Sequence, residues 1–418
     1  MDSIVIKKAS ISGEVIAPPS KSMTIRAVAA SLLAKGRSTV INPSLCDDGI
    51  ASISIMEKLG GTFKLEDGRI LVEGTRGLEK NIKERVFNCQ ESGLCARMFI
   101  PICALRDEEL ILDGEGSLKE RPIGRLEDLK EFNINCVSKN GYLPVKVRGR
   151  AKGKVATVDG SLTSQIISGL LFCLPLTEND SVLRIKEGKS KPYIRMTLDI
   201  LRKAKVKFEA DDDLSTIYIP GGQSFDPINY TVEKDWSSAS FFLVGAAISG
   251  SIFVRDLAFD SEQADKRIID VLKMCGAKVE ITPYGVMVQK DRIRQFQFDT
   301  SDCPDLFPPL CVLAACAEGK STIYGTHRQL HKESNRLSSM CTGFEKLGIK
   351  FEVTENKITI EGKKKIKGGT IDPKRDHRIA MAFAILGLRS SEGIEILNPG
   401  CTKKSYPGFF DELSRLTR

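Results

Sequence analysis

The chain has 418 residues, 41% hydrophobic and 28% charged, a globular balance that excludes wholesale disorder and predicts two or three domains. Its 62 Lys and Arg against 54 Asp and Glu leave +8, a mild excess over this length that fits anionic small molecules better than a nucleic-acid surface. Twelve Cys without a C-x-x-C pair argue against a zinc site of the usual spacing and for a reducing compartment, hence the cytoplasm. Cys103, Cys173, Cys311 and Cys316 lie in apolar runs and read as small core residues.

The first residues, IVIKKASISGEVIAP, read as a strand hairpin with no helix before it, and Lys7 and Lys8 stand where a targeting signal would be apolar. After Pro18 and Pro19 two repeats interleave. One is a polar tip leading into an apolar helix: PPSKSMTIRAVAASLLA, CQESGLCARMFIPICAL, DGSLTSQIISGLLFCL, EKDWSSASFFLVGAAI, SDCPDLFPPLCVLAACA and PKRDHRIAMAFAILGL. Ser22, Ser92, Ser164, Ser238, Asp305 and His377 mark these tips at gaps of 70, 72, 74, 67 and 72 residues. The longest apolar stretch, Phe241 to Val254, is too short for the ~20 residues that span a bilayer. The other repeat is a helix end, a small or polar break, then two short alternating strands. Its breaks at Gly60, Asn133, Lys205, Gly276 and Gly348 are spaced by 73, 72, 71 and 72 residues. Gly or Asn there suits a left-handed helix cap; Lys205 is the weak member.

Six helices but five hairpins leave one unit open. The simplest closure places the N-terminal hairpin in the sixth unit. The expected organisation is a continuous domain of three repeats over 19–231, and a second of three repeats combining 1–18 with 232–418, with the active-site cleft between them. Two crossings of this kind suit hinge closure, although repetition alone also fits a passive scaffold.

Helix N-termini attract anions through unpaired N–H groups and the helix dipole. Here several carry cations and hydroxyls: Ser20-Lys21-Ser22 with Arg26, Thr163-Ser164-Gln165, and Lys374-Arg375-Asp376-His377-Arg378. Each hydroxyl alone is equally an ordinary N-cap. Arg97 and Arg378 begin apolar helices, where a lone charge is costly. Further cations sit in KERPIGR (Lys119, Arg121, Arg125), KSKPYIR (with Ser190 and Tyr193), HKESNR (Lys332, Glu333, Arg336) and NPGCTKKSYPGFF (Lys403, Lys404). Any one could be a solvated loop; together they suggest substrates with several phosphate or carboxylate groups. Asp305 and Glu333 interrupt this basic pattern as isolated acids suited to proton transfer, or as an N-cap and a helical ion pair.

PPSKSMTIRA, KERPIG, VDGSLTSQ, SKPYI, HKESNR, DHRIAM and CTKKSYPGFF, in that order from residue 18 to 410, resemble the 5-enolpyruvylshikimate-3-phosphate (EPSP) synthase family. The resemblance implies an α/β fold of α+β repeats: a two-domain, inside-out α/β barrel-like enolpyruvyl transferase with three βαβαββ-type units per domain. It implies transfer of the enolpyruvyl group of phosphoenolpyruvate to the 5-hydroxyl of shikimate 3-phosphate through a tetrahedral intermediate, with no metal or organic cofactor. It further implies a cytoplasmic monomer whose partners are those two substrates, without nucleic acid or membrane.

Carried over by position, Lys21, Ser22, Arg26, Thr163, Ser164, Gln165, Ser190, Tyr193, Asp305 and Lys332 would meet shikimate 3-phosphate. Lys21, Gly93, Arg121, Gln165, Arg336, Arg378 and Lys404 would meet phosphoenolpyruvate. Asp305 would take the hydroxyl proton, and Glu333 and Lys21 are candidates for proton transfer at the methylene carbon. Four positions depart from the family's pattern: Glu91 and Leu94 beside Gly93, Arg328, and Trp236 in the second crossing. The related enolpyruvyl transferase acting on UDP-N-acetylglucosamine carries a Cys where this chain reads KERPIG, and lacks the SKPY and KES-x-R patterns. A nucleic-acid clamp would need more aromatic interleaving than 6% supplies. An inactive paralogue is the third alternative, kept open by Glu91.

Overall fold

The structure, a computed structural model, describes residues 2–417. The chain folds into two compact units, 19–232 in one and 1–18 with 233–418 in the other. Each has its own apolar core, built around three helices that are buried on nearly every side. In the first unit these are Lys21–Leu33, Gly93–Cys103 and Gln165–Cys173; in the second, Trp236–Ser249, Phe307–Cys316 and His377–Gly387. Small residues let such helices approach closely. A Cβ at Gly169 would lie 2.4 Å from the Met98 carbonyl oxygen, so Gly169 holds the second and third helices of the first unit together.

Each repeat wraps its helix with a small open sheet. In the first unit Val86–Asn88 runs parallel to Leu110–Asp113, which pairs antiparallel with Tyr142–Arg148 and so reaches Asn135–Lys139. Val155–Asp159 begins the next sheet in the same way. The described residues form five four-stranded sheets and one three-stranded sheet, and none closes into a barrel.

The five breaks of the hairpin repeat share one backbone state. Gly60, Asn133, Lys205, Gly276 and Gly348 have φ of +96, +60, +59, +92 and +67°. Lys205, the weak member by residue type, therefore adopts the left-handed turn that its repeat demands.

The N-terminal hairpin is not a hairpin, which corrects the simple closure. Ser3–Ile6 pairs antiparallel with Ile394–Leu397 in the sixth repeat, whereas Ser12–Ile16 pairs parallel with Ser251–Arg255 in the fourth. The reason lies in strand supply. The fourth repeat needs a parallel first strand, yet the strand just before it, Asn229–Thr231, pairs with Arg37–Ile41 of the first repeat. The strand leading into each crossing thus completes the unit that the chain is leaving.

Trp236, at the second crossing, is fully buried; its indole N–H donates to the Ala258 carbonyl at 2.9 Å and its ring meets the Phe259 ring edge-on at 5.6 Å. Of the four core cysteines expected from the sequence, Cys103, Cys173 and Cys311 are buried and Cys316 is partly buried.

A side chain with left-handed backbone angles costs about 1 kcal/mol that glycine avoids. Lys205→Gly should raise the free energy of unfolding by about 0.5–1 kcal/mol, and Gly348→Ala should lower it by about 1 kcal/mol. Denaturant midpoints at constant slope check both.

Candidate active site

In the second unit Asp305, Lys332, Glu333, Arg336 and Arg378 lie together, and in the first unit Lys21, Gly93 and Gln165 open the three buried helices. In the first unit Lys21 opens its helix behind the Ser20 N-cap, whose hydroxyl accepts from the Met23 N–H. Its ammonium lies 2.8 Å from Asp48, a buried acid at the start of the helix Asp47–Lys58. Arg26 is 1% exposed and uses its guanidinium as a brace. It donates to the Ser22 and Tyr193 carbonyls at 2.9 and 3.1 Å and to the Thr197 and Ser168 hydroxyls at 2.9 and 3.5 Å. All these acceptors are neutral, so burial pushes the Arg26 pKa down to about 10.

Arg97 joins the second helix to the third. Its guanidinium donates to the Ile123 and Pro122 carbonyls at 2.7 Å each and to the Gln165 side-chain oxygen at 2.8 Å. Gly93 begins the same helix. A Cβ there would lie 2.6 Å from Arg97 Nη1 and 3.0 Å from Arg121 Nη2, so only a bare Cα leaves both guanidiniums in place. Thr163 accepts from the Gln165 N–H at 3.1 Å beside the buried Ser164. Ser190, also buried, caps the helix Lys191–Lys203 with φ of +56°. Glu91 lays its carboxylate against the Gly116 Cα, where a Cβ would meet Oε1 at 1.8 Å.

In the second unit the centre is Arg336, fully buried at the first position of the helix Arg336–Leu347. It binds three carboxylates: Asp376 through Nε at 2.9 Å, Asp305 through Nη1 at 2.8 Å and Glu333 through Nη2 at 2.7 Å. A buried guanidinium needs this ring of partners, since desolvation otherwise outweighs any single pair. Arg378 reaches the other oxygen of Asp305 at 3.0 Å. Asp376 is also the N-cap of the helix His377–Gly387, accepting from the Arg378 N–H at 2.9 Å. Asp305 caps no helix: it sits in the 3-10 turn Pro304–Leu306. Glu333 precedes its helix, and its ion pair is part of the ring around Arg336.

Burial works to raise the Asp305 pKa, but Arg378, Arg336 and Lys332 outweigh it and hold the carboxyl far below its usual range. Lys332 moves the other way. Burial pushes its ammonium down to about 8; Arg336 and Arg328 add to this, against Asp305 and Glu333. Lys404 ends the 3-10 turn Pro399–Lys404 and is 5% exposed. Among the described residues no group of three or more His, Cys, Asp or Glu could hold a metal ion, and no helix is long and apolar enough to cross a membrane.

Asp48, Asp376 and Asp265 are absent from the expected site set. Asp48 stands in the first turn of its helix and Asp376 caps another, and each also carries an ion pair.

The EPSP synthase (3-phosphoshikimate 1-carboxyvinyltransferase) family matches residues 5–413. This chain belongs to that family. A 3-phosphoshikimate 1-carboxyvinyltransferase of Clostridium perfringens (strain SM101 / Type A) is 35% identical, with 100% of this chain and 99% of that protein aligned. Another, of Methanosarcina acetivorans, is 36% identical over 99% of this chain and 97% of its own. The solved EPSP synthase of Acinetobacter baumannii superposes with a TM-score of 0.82 at 25% identity, covering 99% of this chain and 98% of that one. The family's transferase chemistry belongs to the shikimate pathway of aromatic amino-acid biosynthesis.

Breaking one arm of a buried ion-pair ring leaves the rest uncompensated. Asp376→Ala removes the partner of Arg336 Nε, of the Ser334 hydroxyl and of the Arg378 N–H. It should cost about 3 kcal/mol of stability in denaturant unfolding, against under ~0.5 kcal/mol for an exposed acid such as Glu355.

Proposed function

We propose that this chain transfers the enolpyruvyl group of phosphoenolpyruvate to the 5-hydroxyl of shikimate 3-phosphate and releases phosphate. The observation that carries the reading is Asp305 held by Arg336 and Arg378 at 2.8 and 3.0 Å. The reaction needs an acid masked until an anion arrives, and arginines able to exchange one anion for another.

Paired with both arginines, Asp305 is a poor base because two guanidiniums favour its charged form. An incoming phosphoenolpyruvate competes for Arg336 and Arg378, with Lys404 and Arg121 completing the grip. Asp305, released from both, regains basicity and takes the proton of the attacking hydroxyl. Addition also requires a proton at the methylene carbon. Glu333 and Lys21 are the proposed carriers, one beside Arg336 and the other beside Asp48. The tetrahedral intermediate then returns a methyl proton to the same carrier as the carbon–carbon double bond re-forms and phosphate leaves, and the same cations stabilise the charge developing on that phosphate.

Ser22, Thr163, Ser164, Gln165, Ser190 and Tyr193 are the proposed cradle for shikimate 3-phosphate, with Arg26 fixing the Ser22 and Tyr193 segments and Lys332 beside the hydroxyl. Gly93 keeps the backbone open for phosphoenolpyruvate. The proposal includes one active site shared by both sets of residues, in a cytoplasmic monomer.

Mixing the two substrates should release phosphate, read colorimetrically, while UDP-N-acetylglucosamine in place of shikimate 3-phosphate should release none. Asp305→Asn should lower kcat by about 10²–10⁴-fold with shikimate 3-phosphate binding retained in calorimetry; unchanged turnover would remove Asp305 as the base. Lys332 loses its charge as pH rises through about 8, well below the 10.5 of an unperturbed lysine. The kcat/KM for shikimate 3-phosphate should therefore fall above pH 8. Lys332→Arg, which stays charged, should lose that limb of the profile.

A further inference from the structure

Beside the Asp305–Arg378 pair stands an acid that the mechanism above does not use. Asp265 lies in the 3-10 turn Ala264–Arg267 and is 3% exposed. The turn is pinned from both sides. Gln263 accepts from the Trp236 N–H at 3.0 Å and donates to the Lys234 carbonyl at 2.8 Å, and the Ser237 hydroxyl donates to Asp265 Oδ2. The other oxygen, Oδ1, is buried with no hydrogen-bond partner among the described residues, and so is Arg378 Nη1.

An unpaired buried carboxylate oxygen and an unpaired buried guanidinium nitrogen are both costly. An apolar side chain at residue 265 would avoid the first. Asp305, Arg378, Asp235 and the Ser237 hydroxyl act electrostatically on Asp265, which in turn acts on the Cys303 thiol. Among the described residues Asp305 is the one carboxylate within 4 Å of Arg378, while Asp235, whose Oδ1 already accepts from the Ser238 N–H, and Asp265 act on it from farther away.

We propose that Asp265 is a positioning residue of the reaction, a reserve counter-charge that keeps Arg378 in place when that guanidinium lets go of Asp305. The inference rests on the proposed function, in which Arg378 turns to phosphoenolpyruvate and Asp305 takes a proton. At that moment Arg378 gives up the one protein carboxylate within 4 Å of it among the described residues, and Asp265, which like Arg378 has a buried polar atom without a partner, takes over.

Its protonation fits this exchange. Burial pushes Asp265 up to about 7; Asp305 and Asp235 add to the rise, while Arg378 and the Ser237 hydroxyl oppose it. When Asp305 is neutralised, one cause of that rise disappears, which favours the charged form of Asp265 beside Arg378.

The test is steady-state phosphate release in Asp265→Asn, which keeps the shape and the Ser237 hydrogen bond. The KM for phosphoenolpyruvate should rise about tenfold, that for shikimate 3-phosphate should change less than twofold, and Asp265→Glu should recover most of the loss. A folded Asn variant with the wild-type KM for phosphoenolpyruvate overturns the proposal. Equal losses in the Asn and Glu variants also overturn it, because they mark shape rather than charge. Should the Asn chain fail to fold, Asp265→Ser is read by the same criteria. A wild-type chain that releases no phosphate from the two substrates sinks the functional reading instead.

Discussion

Everything chemical in the second unit follows from burying one arginine. Arg336 has no exposure, so its charge must be met inside the protein. Three carboxylates from three segments meet it: Asp305 from a 3-10 turn, Glu333 from the turn before the helix, and Asp376 from the cap of another helix. Their convergence brings Arg378 and Lys332 within reach of the same acids. It also sets their protonation, with Asp305 driven down and Lys332 lowered toward neutrality. The contrast with Arg26 shows what the carboxylates do. Both arginines are buried, but Arg26 meets only neutral oxygens and its pKa falls, whereas the acids around Arg336 raise it. One is a brace between helices; the other is an electrostatic hub.

Much of this was legible in the sequence because a repeat leaves a periodic trace. The five hairpin breaks share left-handed backbone angles, including Lys205, where residue type argued against it. Spacing outweighs propensity there because the same turn recurs in five of the six repeats. The split of the N-terminal hairpin was not legible: alternation says that two segments are strands, and nothing local says which sheet each joins. Asp48 and Asp376 leave no such trace for a related reason. An acid at a helix start always has a local explanation, and only coordinates reveal Lys21 and Arg336 beside these two. Asp265 has no motif to mark it, since its environment is set by Arg378 and Asp305, which are distant in sequence.

Gly93 and Glu91 show how an unusual residue is accommodated next to a demanding one. Gly93 has no room for a side chain because two guanidiniums occupy the space. Glu91, two residues earlier, brings a carboxylate that ordinary electrostatics would turn against an anionic substrate. Its Oε1 instead packs on Gly116, and that contact depends on glycine there, since a Cβ would collide with it. Glu91 and Gly116 therefore form a coupled pair in this chain.

The exchanged strands carry a consequence for how the molecule comes into being. A ribosome delivers Ser3–Ile6 long before its partner Ile394–Leu397, and Ser12–Ile16 must await Ser251–Arg255. At roughly 5–20 residues per second, the N-terminal strand spends on the order of 20–80 seconds without its neighbour. The other unit is finished much earlier, once Asn229–Thr231 has emerged to pair with Arg37–Ile41. Biogenesis is thus asymmetric: the unit of 19–232 can mature early, while the other must wait for Ile394–Leu397.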